Sequence, residues 1–176
     1  MRLFRAQGYN DTTVEQIAEA AEVSPSTFFR YFPTKESVVL TDFYDPMVID
    51  LVLSQPPELS PLDALRKTVK EGYENMSAAE RESEMERSRL IMSVPELRTA
   101  AMGNFLNVFQ LMTDALSKRT GRPAGDGDIR MFAGAFFGIA LAAGMIWLED
   151  PSKDLIQLFD DGISYLEKGL PLARGE

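Results

Sequence analysis

The sequence predicts an all-α protein of about nine helices. Apolar residues recur at i, i+3, i+4 and i+7 along almost the whole chain. Ser, Thr and Asp stand before these segments as capping residues, often followed by Pro. No segment alternates apolar and polar residues as a half-buried strand would.

Residues 1–8 read as the end of a helix closed by Gly8. A second helix spans about 13–21, with Val14, Ile17, Ala18 and Ala21 on one face. Two overlapping capping boxes precede it, Thr12 with Glu15 and Thr13 with Gln16. A short third helix starts at Ser24 as N-cap with Pro25 in its first turn, and Val23 and Phe28 occupy staple positions. Pro33 stops it. Thr34 caps a fourth, carrying Val38, Val39, Leu40, Phe43, Tyr44, Met47, Val48 and Leu51, which Pro46 kinks or breaks. Gln55-Pro56-Pro57 is a loop and the best domain boundary by composition. Ser60-Pro61 opens a fifth helix, a charged sixth covers about 79–92, and Pro95 opens a long seventh. A Gly-rich loop over 120–127 leads to an apolar eighth, about 128–149. Asp150-Pro151 restarts the chain as a ninth, about 152–169.

The chain has 176 residues, 18 Lys+Arg against 27 Asp+Glu, and neither His nor Cys. Without imidazole or thiolate, most soft-metal sites and all Ser/His and Cys/His triads and thiol redox chemistry are excluded, while oxygen-ligand metals and carboxylate- or Lys-based catalysis stay open. No acid–base pair, nucleophile–base pair or Gly-rich phosphate loop stands out, so an enzyme is not expected and no cofactor or metal is implied. A net charge of -9 argues against a protein that merely coats nucleic acid. With 45% hydrophobic residues the chain can bury a sizeable core. No signal peptide is evident at the start. Met131–Leu148 is uncharged and reaches the lower length limit of a membrane span. Its Ala and Gly content and the lack of a second such segment favour a buried helix of a cytoplasmic protein, with no membrane partner.

Residues 13–32 have the layout of a helix-turn-helix: two short helices joined by a tight turn, the second opening with small hydroxyl residues. The N-terminus of the third helix offers unpaired N–H groups suited to phosphate. Phe28 and Phe32 face inward, so Ser26, Thr27, Phe29 and Arg30 face outward. Small hydroxyls allow close approach to a groove, Arg can bond guanine edges, and an aromatic ring can meet a thymine methyl. Tyr31 can reach a phosphate through its hydroxyl, and Lys35 starts the next helix in a phosphate-type position.

The run Gly8-Tyr9-Asn10-Asp11-Thr12-Thr13-Val14-Glu15-Gln16-Ile17-Ala18-Glu19-Ala20-Ala21, followed by Val23-Ser24-Pro25-Ser26-Thr27-Phe28-Phe29-Arg30-Tyr31-Phe32-Pro33-Thr34-Lys35-Glu36, resembles the N-terminal domain of the tetracycline-repressor (TetR) family. The resemblance covers about residues 3–45. It implies a DNA-binding domain over 1–45 and a divergent all-α ligand-binding and dimerisation domain over 46–176. It further implies a homodimeric transcriptional regulator, usually a repressor, that leaves a palindromic double-stranded operator when a small molecule binds. Operator contacts are implied at Thr13, Ser24, Pro25, Ser26, Thr27, Phe29, Tyr31 and Lys35, with Arg30 added from its outward position.

Two positions depart from the family pattern. The family has about two more helical turns and a basic arm before the segment that begins here at Met1, so the first helix is expected to be incomplete. Glu22 stands in the turn where the family often has Gly; a positive φ there would cost Glu roughly 1 kcal/mol. Residues 1–45 hold four basic groups (Arg2, Arg5, Arg30, Lys35) and seven acidic ones. Few phosphate contacts and a shallow salt dependence are therefore expected. The same imbalance supports the alternative of a small-molecule carrier or sensor of this fold that does not bind DNA.

In the larger part, Gly134, Gly138, Ala140 and Gly144 lie on the apolar helix at spacings that permit close helix approach. The resemblance points to the last two helices as the dimer interface, bringing in Phe159, Gly162, Ile163 and Leu166. Packing within one chain is the competing reading of the same residues. Phe105, Phe109, Met112, Phe132 and Phe136 form a dense aromatic and methionine set, with Tyr73, Met76 and Met92 opposite. Such residues either fill a core or line a pocket for a lipophilic inducer. The charged run 80–89 reads as a solvated helix face.

Overall fold

A computed structural model describes residues 1–40, 46–123 and 125–169. Ten α-helices and no strand occur among them: α1 (Arg2–Gln7), α2 (Val14–Ala20), α3 (Pro25–Tyr31), α4 (Lys35–Leu40), α5 (Pro46–Ser54), α6 (Pro61–Glu74), α7 (Ala78–Ser93), α8 (Pro95–Thr120), α9 (Gly127–Glu149) and α10 (Leu155–Glu167). The expected eighth and ninth helices are thus α9 and α10. The tenth element arises because the single helix expected over 35–51 is two. Pro46 is the first residue of α5, where its missing N–H costs nothing. Phe43 and Tyr44, expected on the fourth helix, lie outside the described residues.

Local capping chemistry sets most helix starts. Thr13 and Gln16 form a complete capping box on α2. Thr12 belongs to no box: it is buried, and its hydroxyl donates to the Gly8 carbonyl at 2.6 Å. Ser24 accepts the Thr27 N–H at 3.1 Å, with Pro25 beginning α3. Thr34 and Ser37 exchange backbone-to-side-chain bonds of 3.2 Å at the start of α4. Ser60 caps α6, and Asp126 caps α9. Asp154 caps α10, which places its start at Leu155 rather than near 152.

The chain forms two compact units. One holds Met1–Asp45 together with Ala78–Asn107, and the other Pro46–Ser77 with Val108–Glu176. The N-terminal segment therefore shares its unit with α7 and the first half of α8. In that unit Phe4, Tyr9, Val39, Leu40, Ile91 and Leu97 are the buried core, with Ile17 and Leu90 packed against it. Arg5 on α1 pairs with Glu86 on α7. The charged run on α7 is only partly a solvated face, because Arg87 is buried and paired with Glu84.

Gly8, after α1, has φ 86 and ψ 163, a region open essentially to glycine alone. A Cβ there would meet nothing within 4 Å, so any cost of adding one is conformational. Gly8→Ala should lower the stability of this unit by about 1–3 kcal/mol, read as a shifted urea midpoint. An unchanged midpoint would mean the backbone can adopt another conformation there.

The other unit is built around Val52, Leu65, Met112, Leu116, Ile129, Ala133, Phe136, Ala143, Phe159 and Ile163. Its helices are tied by side chains as well as by burial. Arg66 on α6 reaches Asp160 (3.1 Å) and Glu167 (3.4 Å) of α10. Arg119 on α8 donates to the carbonyls of Gln55 (3.0 Å) and Leu59 (2.9 Å), neutralising the end of α5 and the loop after it. A Cβ on Gly162 would stand 2.5 Å from Ile139 Cγ2, so α10 approaches α9 closely at this residue.

Candidate nucleic-acid interface

The helix-turn-helix is held by one buried aromatic and one strained turn. Ala18 of α2 and Phe28 of α3 are buried, and Phe32 packs on Phe28 with centroids 5.6 Å apart. Between the helices Glu22 adopts φ 56, the left-handed conformation that its place in the turn suggested. That turn directs the outer face of α3 to solvent. Pro25, Ser26, Phe29, Arg30 and Tyr31 are exposed and Thr27 is half-buried.

The exposed side chains are not loose. Phe29 is 49% exposed, yet its ring meets Phe28 edge-on at 5.4 Å and 89°. The Arg30 guanidinium carbon lies 5.0 Å from the Tyr31 ring centroid, a cation–π distance. Tyr31 is 66% exposed. Ser24, Ser26 and Thr27 share hydrogen bonds among their hydroxyls.

Lys35 has internal work that its sequence position did not reveal. Its ammonium donates to the carbonyls of Tyr9 (2.8 Å) and Thr12 (3.1 Å) and lies 4.1 Å from the Tyr9 ring centroid. Two of its three donors are thereby engaged within the chain. The Tyr9 hydroxyl donates to Glu36 at 2.8 Å. Burial raises the Tyr9 hydroxyl's pKa, and Glu36 raises it further. Glu36 is held below the usual carboxylate range by its own backbone N–H, with further help from the Tyr9 and Thr34 hydroxyls and the Lys35 charge. This cluster fastens the loop before α2 to the start of α4, and so sets where α2 and α3 stand.

An acid limit on stability follows. Glu36 and Glu15 are shifted down, Glu15 mainly by its own backbone N–H. Asp126 is shifted down mainly by its bond with Arg122. Groups with a lowered folded-state pKa stabilise above their unfolded pKa and lose that contribution as pH falls through the folded value. Between pH 7 and 5 the chain also sheds part of its acid excess and its self-repulsion. Stability should therefore stay level or rise slightly down to about pH 5 and fall below about pH 4.3. Urea midpoints at pH 7, 5 and 3.5 check this, and Tyr9→Phe should lose about 1 kcal/mol at pH 7. A midpoint at pH 3.5 equal to that at pH 7 would refute it.

The other predicted residues fall into distinct surroundings. Phe159 and Ile163, expected in the dimer interface, are buried in their own chain's core, so their surface is already covered. Gly162 is half-buried and tight against Ile139 of the same chain. Ala140, Gly144 and Leu166 are half-buried, and Gly134 and Gly138 are exposed. Beside those two glycines α9 exposes Met131, Leu141 and Met145, which the small-residue spacing had not singled out. Among the residues expected around an inducer, Met112 and Phe136 are core residues, and Phe136 packs against Phe159 of α10. Tyr73, Met76, Phe109 and Phe132 are half-buried in that same unit. Met92 is exposed and Phe105 half-buried, and both belong to the unit that holds the helix-turn-helix.

An all-α chain that presents the second helix of a helix-turn-helix outward has the architecture of a DNA-binding transcriptional regulator. Comparison with known proteins specifies the family. Residues 1–41 match the family described as bacterial regulatory proteins, tetR family, and residues 59–171 match the MftR C-terminal domain. The chain belongs to the TetR family of transcriptional regulators and is not an enzyme. It is 26% identical to the putative mycofactocin biosynthesis transcriptional regulator MftR of Mycobacterium tuberculosis over 97% of this chain and 86% of that protein. It is 49% identical to the HTH-type transcriptional regulator TcmR of Streptomyces glaucescens, over 37% of this chain and 30% of TcmR. Its fold is similar to that of Thermus thermophilus FadR, a TetR-family transcriptional repressor solved in complex with lauroyl-CoA. The TM-score is 0.58 at 24% identity, covering 100% of this chain and 93% of that one.

Proposed function

We propose that this protein is a cytoplasmic repressor that binds a palindromic operator as a homodimer and leaves it when a small apolar molecule binds. The observation that carries the reading is the outer face of α3, where Ser26, Phe29, Arg30 and Tyr31 stand exposed. Thr13, Ser24, Pro25, Thr27 and Lys35 complete the proposed contact set. The division into a DNA-binding part over 1–45 and a ligand and dimerisation part over 46–176 belongs to the same proposal.

The homodimer is supported by the free side of α9. By length and composition this helix could cross a membrane, yet only 22% of its most apolar window is buried within the chain. Its exposed stripe includes Met131, Gly134, Gly138, Leu141 and Met145. Among the described residues, nothing beyond the helix's own nearby backbone lies within 4 Å of a Cβ placed on Gly138 or Gly144. Each interior glycine costs a helix roughly 1 kcal/mol relative to Ala, and the chain's own packing gives no reason for it. A second copy laid against this stripe supplies one, since glycine permits close helix approach.

The inducer is proposed to be lipophilic, with Tyr73, Met76, Phe109 and Phe132 among its contacts. The acyl-CoA bound by the Thermus thermophilus repressor supports an acyl chain as the first class to try. The decisive test is gel shift with DNA from upstream of the protein's own gene, at two salt concentrations, with and without acyl-CoA. Sequence-specific binding that acyl-CoA weakens is expected. Equal, weak binding to every duplex would favour a carrier or sensor that does not bind DNA.

A further inference from the structure

We propose that α3 selects its operator chiefly through thymine methyl groups, with Phe29 as the reader and Arg30 as the one strong polar contact. This rests on the DNA-binding reading above and adds the chemistry of what is read.

α3 lacks most of the side chains that read base edges by hydrogen bonds. Discrimination by hydrogen bonds uses Asn or Gln for adenine, Arg or Lys for guanine, and Asp or Glu for cytosine. The helix sequence is Pro-Ser-Thr-Phe-Phe-Arg-Tyr, so Arg30 alone belongs to that set. The hydroxyls at its start are largely committed to one another. Ser24 Oγ accepts the Thr27 N–H at 3.1 Å and donates to Thr27 Oγ1 at 3.0 Å. A serine has one hydroxyl hydrogen. The 2.9 Å contact between Ser26 and Ser24 must then be donated by Ser26. Of the three hydroxyl hydrogens, only that of Thr27 is left to offer to a base.

The apolar inventory is richer. Phe29 is half-exposed, and its ring is braced edge-on by the buried Phe28. A phenyl ring held rigidly toward water is a poor surface choice and a good contact for an apolar group in the groove. In the major groove of unmodified DNA that group is the thymine C5-methyl. The Phe29 ring is positioned before DNA arrives, so little side-chain entropy is lost on contact. Arg30, in the last turn of α3, can leave the Tyr31 ring for a guanine edge.

The test removes methyl groups from the DNA and leaves the protein intact. An operator is first selected by the wild-type protein from a random duplex pool. Deoxyuridine then replaces each thymidine of that operator in turn, and each duplex is titrated with wild type and with Phe29→Ala. At one or two positions per half-site, loss of the methyl should weaken wild-type binding about three- to fivefold. Phe29→Ala should bind the unmodified operator more weakly and be indifferent to the same replacements. Phe29→Leu, which keeps apolar surface, should retain part of the sensitivity. If wild type selects a specific duplex and no deoxyuridine position matters, or if Phe29→Ala stays fully sensitive, the inference falls while the repressor reading stands. If wild type selects no duplex above bulk DNA, both fall.

Discussion

Leu141→Glu should convert the protein to a monomer and weaken operator binding at least ~100-fold. Leu141 is 61% exposed and lies on the α9 stripe with Met131, Gly138 and Met145. In the separate chain a glutamate there would face water and change little. Between two copies it would place a carboxylate against its symmetry mate in an apolar contact, an uncompensated charge with no partner. Operator affinity falls with the dimer, because two linked reading helices gain by effective concentration what one alone lacks. Sedimentation equilibrium reads the first effect and gel shift the second. Fluorescence of the sole tryptophan, the buried Trp147, reports that α9 stays folded. Gly138→Ala gives an independent arm, improving the helix by about 1 kcal/mol while obstructing the closest approach of the mates. A Leu141→Glu protein with the mass and operator affinity of wild type would refute the interface.

What could be read in advance divides along the range of the interactions. Caps are local, so Ser24, Thr34 and Ser60 stand where spacing put them. The choice between Thr12 and Thr13 was not legible, since two boxes overlap and only burial separates them. Thr12 turns inward to Gly8, and Thr13 keeps the cap. The bonds of Lys35 to Tyr9 and Thr12 were not legible, because those partners are more than twenty residues away. Arg87 looked solvated within a charged run, although a charge three residues from Glu84 was a signal for a pair. On α9 nearly every residue is apolar, so no period distinguishes the face toward the core from the free one. Ala133, Phe136 and Ala143 on one side, and Met131, Gly138 and Leu141 on the other, emerge only when α10 packs. On α10 the amphipathic pattern was clear, but it marks the intrachain face. That is why Phe159 and Ile163 lie in the core of their own chain.

Phe136→Ala should cost about 3–5 kcal/mol of stability in the unit that contains α9 and α10. The ring is buried and meets Phe159 edge-on at 5.4 Å and 82°, with Phe137 at 6.2 Å. Removing it leaves a cavity between α9 and α10, and Gly162 shows how little room that contact has to readjust. A Cβ on that glycine would already stand within 2.5 Å of Ile139. Collapse into the space left by the ring is therefore limited, which places the cost toward the upper part of the range. A residue lining an open inducer pocket behaves differently: truncation there costs about 1 kcal/mol or less, because water or ligand already occupies the space beside it. The size of the loss thus decides between the two roles the sequence allows for this ring. Trp147 fluorescence against urea gives the measurement for this unit. A midpoint shift worth less than about 1 kcal/mol would return Phe136 to the list of ligand contacts. A larger one leaves Tyr73 on α6, Phe109 on α8 and Phe132 on α9, all half-buried, as the proposed aromatic contacts of an inducer.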